Sequence, residues 1–373
     1  MSIFLALGMY FLSLFLVILD FSAGIPDKTK RRIFNLMCLV LVVIAAVSKT
    51  EQTNYDTKNY IAYFEHVWID SWKNLGSYYF EPGYVVLNFV IKMMGFSYHI
   101  LFFVCALIPV LIYRTMILKY AKYIFLCLHV YIACYYFLNE MIIIRHGIAA
   151  AFLIYNCRNL AEGKKMKSVL TVVAGSMFHT IALAGFIPVI IVFAEGKRKK
   201  LAYLIFVAGM ILAFFVAIVT PARIVELLQG TVSIIFPALD NKIAKLAAYS
   251  QMADAAGYRR MVLYFPFLVL SIWELSNEYR KRQNNNDKIM LVVFSYYAAA
   301  YGCMAAFQSI EEMGRVNSLF CSVIIFAASR FAEGQKNKWS RAAVIGLILF
   351  ISMYLYFRNN FFADGGLLGI NYY

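Results

Sequence analysis

The sequence predicts an all-α, polytopic integral membrane protein, and three observations support that prediction. Hydrophobic residues make up 62% of the 373 residues and charged residues only 15%, whereas soluble domains carry about 25% charged residues. Mean hydropathy is +0.70. Apolar runs recur from end to end, each near the ~20 residues that cross a bilayer as a helix. We therefore expect about 10–13 transmembrane helices, some re-entrant or broken, in a single membrane domain over residues 1–373.

Six short basic clusters orient these helices. Cytoplasmic loops are enriched in lysine and arginine, so we place all six clusters in the cytoplasm and the N-terminus outside. The net charge of +15 then reflects topology, and no basic stripe interleaved with aromatic residues indicates a nucleic-acid partner. The clusters are PDKTKRR (26–32), YRTMILKYAK (113–122), CRNLAEGKKMK (157–167), EGKRKK (195–200), EYRKRQNNNDK (278–288) and SRFAEGQKNKWSR (329–341).

The predicted spans begin with residues 2–20, which lack a basic n-region and a small-residue cleavage site and therefore indicate a retained helix. Residues 84–95 are too short to cross comfortably and indicate a re-entrant or interfacial helix. Residues 168–194 indicate either two short tilted crossings or a hairpin that dips in and returns. The remaining predicted spans are 33–48, 98–118, 121–138, 141–160, 201–219, 259–276, 289–309, 314–331 and 341–357.

Two long polar segments then fall on the outer side, at about 49–83 and 220–258. The cytoplasmic loops are short, so an outward-facing site is favoured. The seven cysteines include no CxxC pair and have no histidines at zinc-ligand spacing, which indicates small buried hydrophobes. The sequence also contains no P-loop, GxGxxG or HExxH motif. We therefore expect no metal and no cofactor.

The most unusual charge lies in the apolar stretch NEMIIIRHGIAAAFLIYN (139–156). On a helix starting near Asn139, Arg145 would lie one to two turns below the outer surface, where a charge usually faces a bundle interior or a wet cavity. Arg145 and Asn156 would share a face, and small residues between them would let a neighbouring helix or a lipid-linked ligand approach. A guanidinium suits phosphate or pyrophosphate, although snorkelling to headgroups is the alternative.

A second intramembrane ionisable group, His179, lies in GSMFHTIAL (175–183). Its imidazole could donate to a phosphate or act as an acid or base, or it could be a core histidine bonded to a broken-helix carbonyl. His146 follows Arg145 on another face, so we rank it below His179.

The first outer segment supplies further candidate residues. Asp56 and Tyr60 are four residues apart and would share a helical face, offering a carboxylate and a phenol for sugar hydroxyls or acid–base chemistry. Glu81 precedes Pro82 at a predicted helix start, so it is either functional or a carboxylate favoured by the helix dipole. Tyr84 and neighbouring aromatic residues could stack on sugar rings or form an interfacial belt.

A late motif, FQSIEEMGRVNSLF (307–320), contains Glu311, Glu312 and Arg315. Their i,i+3 and i,i+4 spacing is typical of a local ion pair that opens a helix. The functional alternative makes Arg315 a second anion ligand and one of the glutamates a proton acceptor.

These motifs, taken in order, resemble the EpsG-like branch of the Wzy-type polysaccharide polymerases. The resemblance covers most of the chain, and its specificity comes from the series rather than from any single match. The stretches that carry it are YDTKNY (55–60), YYFEPGYVVLNFVIKMMGFS (78–97), IIIRHGIAAAFLIYN (142–156), FHTIAL (178–183) and EEMGRVNSLF (311–320).

The resemblance implies a GT-C-like glycosyltransferase of the bacterial inner membrane with its site facing the periplasm or outside. Such enzymes join oligosaccharide repeat units carried on undecaprenyl pyrophosphate into O-antigen, capsule or exopolysaccharide. The partners it implies are these carrier-linked glycans and the lipid bilayer, and a chain-length regulator is the one protein partner left open.

The resemblance also implies roles for particular residues. Arg145 would bind pyrophosphate, with His179 assisting or exchanging protons. Asp56, Glu81 or Glu311 would deprotonate the acceptor hydroxyl, and that choice stays open. From the residues themselves, rather than from the resemblance, we expect Tyr60, Tyr84, Asn156, Glu312 and Arg315 to contribute to substrate binding.

Two other function classes compete with a polymerase. A lipid-linked oligosaccharide flippase would be expected to have two pseudo-symmetric halves, and the sequence has no fixed-period repeat. An O-antigen ligase would usually carry its large outer loop late in the chain, and a membrane acyltransferase would have arginine and histidine in its first helices. Residues 2–20 contain neither.

Overall fold

The computed structural model describes residues 3–49, 55–70, 72–194, 264–275, 288–307 and 311–362. Every regular element in those ranges is helical, which confirms the predicted all-α class. The predicted span at 201–219, the outer segment at 220–258 and the beginning of the span at 259–276 lie outside the described residues.

Most of the described residues lie in α-helices, numbered in chain order. They are α1 Ile3–Phe21, α2 Asp27–Val47, α3 Tyr55–His66, α4 Pro82–Met93, α5 Tyr98–Tyr120, α6 Ile124–Tyr131, α7 Phe137–Asn139, α8 Ile144–Ala161, α9 Lys165–Ser176, α10 Phe186–Ala194, α11 Ile289–Phe307, α12 Glu311–Cys321, α13 Ile324–Glu333 and α14 Lys338–Phe357. The described residues also form two 3-10 helices, Trp72–Ser77 and Thr180–Gly185, two π-helices, Ile132–Tyr136 and Arg358–Phe362, and an apolar helix at Tyr264–Leu275.

Several of these helices are long and apolar enough to cross a membrane. Within the described ranges, the segments that meet both requirements are Phe4–Phe21, Tyr98–Tyr120 and Lys338–Asn360, and the broken pair formed by α12 and α13 makes a fourth if it is one span. Shorter apolar helices lie at Pro82–Met93, Ile124–Asn139, Thr180–Phe193, Tyr264–Leu275 and Ile289–Cys303. Helices of this kind agree with a polytopic membrane protein containing broken or re-entrant segments.

The chain divides into two compact units. The first contains Met1–Arg158, Leu170–Leu183 and Ser322–Tyr373, and the second contains Asn159–Val169 and Ala184–Cys321. In the second unit, α11 packs against both α10 and α12. The single membrane domain over residues 1–373 stays a prediction.

The core of the first unit forms where α2 packs on α5, α1 packs on α6, and α13 packs on both α5 and α6. Side chains from distant elements satisfy the backbone donors at the start of α6. Asp20 accepts hydrogen bonds from the N–H groups of Phe125 and Leu126, at 2.9 Å each. Such partners are needed because the first N–H groups of a helix have no acceptor within it.

A break separates α7 from α8, and it changes the position of Arg145. The sequence predicted a helix from near Asn139, but α7 ends at Asn139 and α8 begins at Ile144. Arg145 therefore lies in the first turn of α8. The buried Lys49 ammonium donates to the backbone oxygen of Glu140, which satisfies a carbonyl that the break leaves without a helical partner.

Candidate functional site

The site is built around an ion pair between Arg145, in the first turn of α8, and Glu81, immediately before α4. The Nη1 atom of Arg145 donates to Oε2 of Glu81. Both side chains are mostly buried, with 19% of Arg145 and 10% of Glu81 exposed. Burial reduces solvent screening, so this pair is held more firmly than an exposed one.

Glu81 does not cap its own helix. Its backbone is extended, Pro82 occupies the first helical position, and its carboxylate makes no capping hydrogen bond to α4. The carboxylate instead accepts hydrogen bonds from Thr180, through Oγ1 at 3.2 Å and the backbone N–H at 3.3 Å. The interpretation of Glu81 as only a helix-start carboxylate is therefore too narrow, because both of its oxygens bind donors from other elements.

Two elements other than α4 supply the donors around this carboxylate. Arg145 lies in the first turn of α8, which begins at Ile144, and Thr180 is the first residue of a 3-10 helix. The guanidinium carries a full positive charge, and the Thr180 hydroxyl and backbone N–H are neutral donors. A location with these donors favours an anion.

A close backbone contact holds the start of α4 in place. The Gly83 N–H donates to the backbone oxygen of Met177 at 2.8 Å. A Cβ atom at residue 83 would lie 2.7 Å from that oxygen and 2.9 Å from the Met177 Cβ. Only glycine permits this approach, which brings Glu81 beside Thr180.

Three aromatic rings surround the Arg145 guanidinium. Its central carbon lies 4.4 Å from the centre of the Phe80 ring and 5.9 Å from those of Tyr60 and Tyr84. These distances allow cation–π attraction. The rings restrict where the guanidinium can go, so Arg145 packs against other side chains of the first unit.

Tyr60 also offers a polar group at the site. Burial raises the pKa of Tyr60 to about 12, with the Arg145 guanidinium opposing the shift. The phenol is therefore protonated near neutral pH and can donate a hydrogen bond. Asp56 lies one turn earlier on α3, is half-buried and interacts electrostatically with Tyr60, so these two residues share a face as predicted.

Two histidines meet beside the ion pair. The rings of His146 and His179 are perpendicular, with centres 5.8 Å apart. His179 lies at the break between α9 and the following 3-10 helix, where its Nδ1 accepts the Ile181 N–H at 3.4 Å. This leaves Nε2 of a neutral His179 as a donor. The buried His146 therefore contacts the histidine that the sequence ranked above it, and which of the two imidazoles acts in the reaction stays a prediction.

Asn156 shares α8 with Arg145 but lies too far along the helix to belong to the cluster around the Arg145–Glu81 ion pair. Eleven residues of helix separate the two, which is about 16 Å. Asn156 is fully buried in the packing of the first unit. The small residues of α8 do allow a close neighbour, as predicted, because Gly175 of α9 packs against Phe152 and Ala149.

The late motif belongs to the second unit, at the start of α12. Arg315 is exposed there. The side chains of Glu311 and Glu312 lie outside the described residues, so their predicted roles stay predictions.

The cluster therefore contains an anion site, two imidazoles and a phenol within one unit. It joins Glu81, Arg145, Tyr60, Tyr84 and His179, which the sequence singled out, with Thr180, Phe80 and His146, which it did not assign. Such a set can hold a phosphate and exchange a proton with a hydroxyl group.

Comparison with protein families matches residues 31–372 to the EpsG family. The match covers nearly the whole chain and includes every residue of the cluster. No curated protein and no solved structure gave a match.

Proposed function

This chain belongs to the EpsG family of polysaccharide polymerase-type membrane proteins, and on that premise we propose that it joins lipid-linked oligosaccharide repeat units into a polymer. The donor is a growing chain on undecaprenyl pyrophosphate, and the acceptor is the non-reducing end of an incoming unit. The reaction takes place at the outer face of the bacterial inner membrane. The observation that carries the proposal is the anion site formed by Arg145 and Thr180 beside a carboxylate and two imidazoles.

Arg145 binds the pyrophosphate of the donor in this mechanism. Phosphate oxygens match the planar donor fork of arginine, and the Thr180 hydroxyl and backbone N–H supply two further donors. The pyrophosphate gains negative charge as it leaves. A fixed guanidinium in a poorly screened site stabilises that charge at the moment it develops.

Glu81 is the base that we favour among the three carboxylates proposed from the sequence. It contacts Arg145 directly, so it lies where the donor and acceptor must meet. The acceptor oxygen forms a bond to the anomeric carbon, the bond from that carbon to the pyrophosphate oxygen breaks with its electrons, and Glu81 takes the hydroxyl proton. Asp56, one turn before Tyr60, is the alternative within the same unit.

The two imidazoles and Tyr60 complete the site. His179 can donate through Nε2 to a pyrophosphate oxygen, since its Nδ1 is already an acceptor. His146 packs edge-on against that ring and limits its rotation. The protonated Tyr60 phenol beside Arg145 can donate to a sugar or phosphate oxygen.

The test uses cells that make a polysaccharide dependent on this chain. We expect Arg145→Ala to abolish long polymers while single repeat units still reach the outer face on their carrier. Repeat units stranded on the inner face would instead indicate a flippase, and normal polymer lengths would refute the role of Arg145. Arg158→Gln, at the other end of α8, is the matched control and should leave polymer lengths unchanged.

A further inference from the structure

We propose that Glu81 is an internal occupant of the phosphate site and that a substrate phosphate displaces it from Arg145 and Thr180. The inference rests on the proposed function and deepens it, because it states how substrate binding would prepare the site. In the unliganded protein the carboxylate fills the position of the anion. In the liganded protein the phosphate takes that position and Glu81 is released.

The contacts of Glu81 are those that a phosphate group would seek. One carboxylate oxygen binds the Arg145 guanidinium. The other binds both the hydroxyl and the backbone N–H of Thr180, at 3.2 and 3.3 Å. A guanidinium, a hydroxyl and a backbone N–H form a common donor set for phosphate oxygens.

The donor set has unused capacity. The Nε atom of Arg145 is buried and has no hydrogen-bond partner among the described residues. A carboxylate reached through Nη1 alone does not use the full guanidinium fork. A phosphate, with more oxygens, can engage two guanidinium nitrogens together and retain a bond to Thr180.

Charge favours the exchange. A pyrophosphate carries more negative charge than one carboxylate, so Arg145 attracts it more strongly. The two anions repel each other at close range and cannot both occupy the donors at full charge. Binding of one therefore opposes binding of the other.

Glu81 can leave without disturbing its helix. Its carboxylate makes no capping bond to α4, and the start of α4 is held separately by the Gly83 to Met177 hydrogen bond. A rotation of the side chain is sufficient. The freed carboxylate oxygens can then accept the hydrogen bond and the proton of the acceptor hydroxyl, so the base becomes available only once the donor is bound.

The test measures binding of inorganic pyrophosphate, and in a second arm farnesyl pyrophosphate, to the purified full chain by titration calorimetry. Removing the competing carboxylate with Glu81→Gln should tighten binding by about tenfold, a typical coupling between two competing ligands. Arg145→Gln alone should weaken binding, and in the double variant it should abolish the tightening caused by Glu81→Gln. Tighter binding of both probes identifies the diphosphate as the ligand, and tighter binding of farnesyl pyrophosphate alone identifies a lipid-linked headgroup.

A matched control removes a carboxylate from the same outer segment. Glu65 is exposed on α3, and Glu65→Gln should leave both affinities unchanged. Weaker or unaltered binding to a folded Glu81→Gln variant would overturn the proposal, because Glu81 would then be a partner rather than a competitor of the ligand. In wild-type protein, pyrophosphate should also increase carbodiimide labelling of Glu81, and a decrease would overturn the proposal independently of any variant.

The outcomes separate this proposal from the polymerase proposal. Tighter binding to Glu81→Gln, with wild-type protein unable to lengthen carrier-linked units, would retain the exchange and reject the polymerase. If wild-type protein lengthened the units but Glu81→Gln did not bind pyrophosphate more tightly, the exchange would be rejected and the polymerase retained.

Discussion

Replacing Gly83 by alanine tests whether the contact between α4 and the break before Thr180 sets the geometry of the site. The new Cβ would lie 2.7 Å from the backbone oxygen of Met177, whereas ordinary contact requires at least 3.4 Å, so the two segments must separate by about 0.7 Å. That movement also stretches the 2.8 Å Gly83 to Met177 hydrogen bond. The neighbour is backbone and cannot rotate away.

Both stability and activity should change. Overpacking costs about 1–3 kcal/mol, and loss of the hydrogen bond adds about 1 kcal/mol. Because Glu81 moves with the start of α4, its contacts with Thr180 and Arg145 lengthen, and a displacement of this size reduces catalysis by roughly 10- to 100-fold.

Two quantities are measured for the variant and for wild-type protein: the thermal unfolding of the purified protein and the rate at which it lengthens carrier-linked repeat units. Gly346→Ala is the control, because Gly346 lies in α14 with nothing within 4 Å of its added Cβ; a helical alanine there should be neutral or slightly stabilising. If Gly83→Ala had the stability and the rate of wild-type protein, the contact between Gly83 and Met177 would not set the geometry of the site.

Three further predictions test neighbouring parts of the site. Arg145→Lys should retain folding but lose most polymerisation, since an ammonium lacks the planar fork, and pyrophosphate titration should show weaker binding than wild type. Lys49→Met should lower the unfolding temperature because the Glu140 carbonyl loses its donor, whereas Lys58→Met, exposed on α3, should not. Above pH 10, unfolded tyrosines ionise while Tyr60, whose pKa is about 12, stays protonated in the folded chain, so folding loses stability as pH rises. Tyr60→Phe should therefore show a smaller fall of unfolding temperature between pH 10 and pH 12. A fall as large as that of wild-type protein would contradict this prediction.

The elements with strong local signals were predictable. Apolar runs indicated membrane helices, and Pro82 indicated the first residue of α4. The basic clusters on both sides of residues 168–194 indicated a segment that turns back near His179, and a break lies there. Each conclusion depended on residues close together in sequence, where helix periodicity and proline geometry decide the structure.

Contacts between distant segments were not predictable in the same way. The pairing of Arg145 with Glu81 joins residues 64 positions apart, and nothing in helical periodicity selects it. Thr180 lacked a signal because threonine is common in helices and loops alike. The break after Asn139 was not predicted, because the apolar run continues through it and hides the start of α8 at Ile144. Near that start, His146 contacts His179.

Polymerisation is tested most simply with the purified chain in lipid nanodiscs, incubated with undecaprenyl-pyrophosphate-linked repeat units, and with product length followed on gels. We expect wild-type protein to produce a ladder of lengthened glycans and Arg145→Ala to leave single units. A ladder of normal length from a folded Arg145→Ala variant would show that Arg145 is not needed for polymerisation. No lengthening by wild-type protein, under conditions in which it binds pyrophosphate, would show that the chain is not a polymerase.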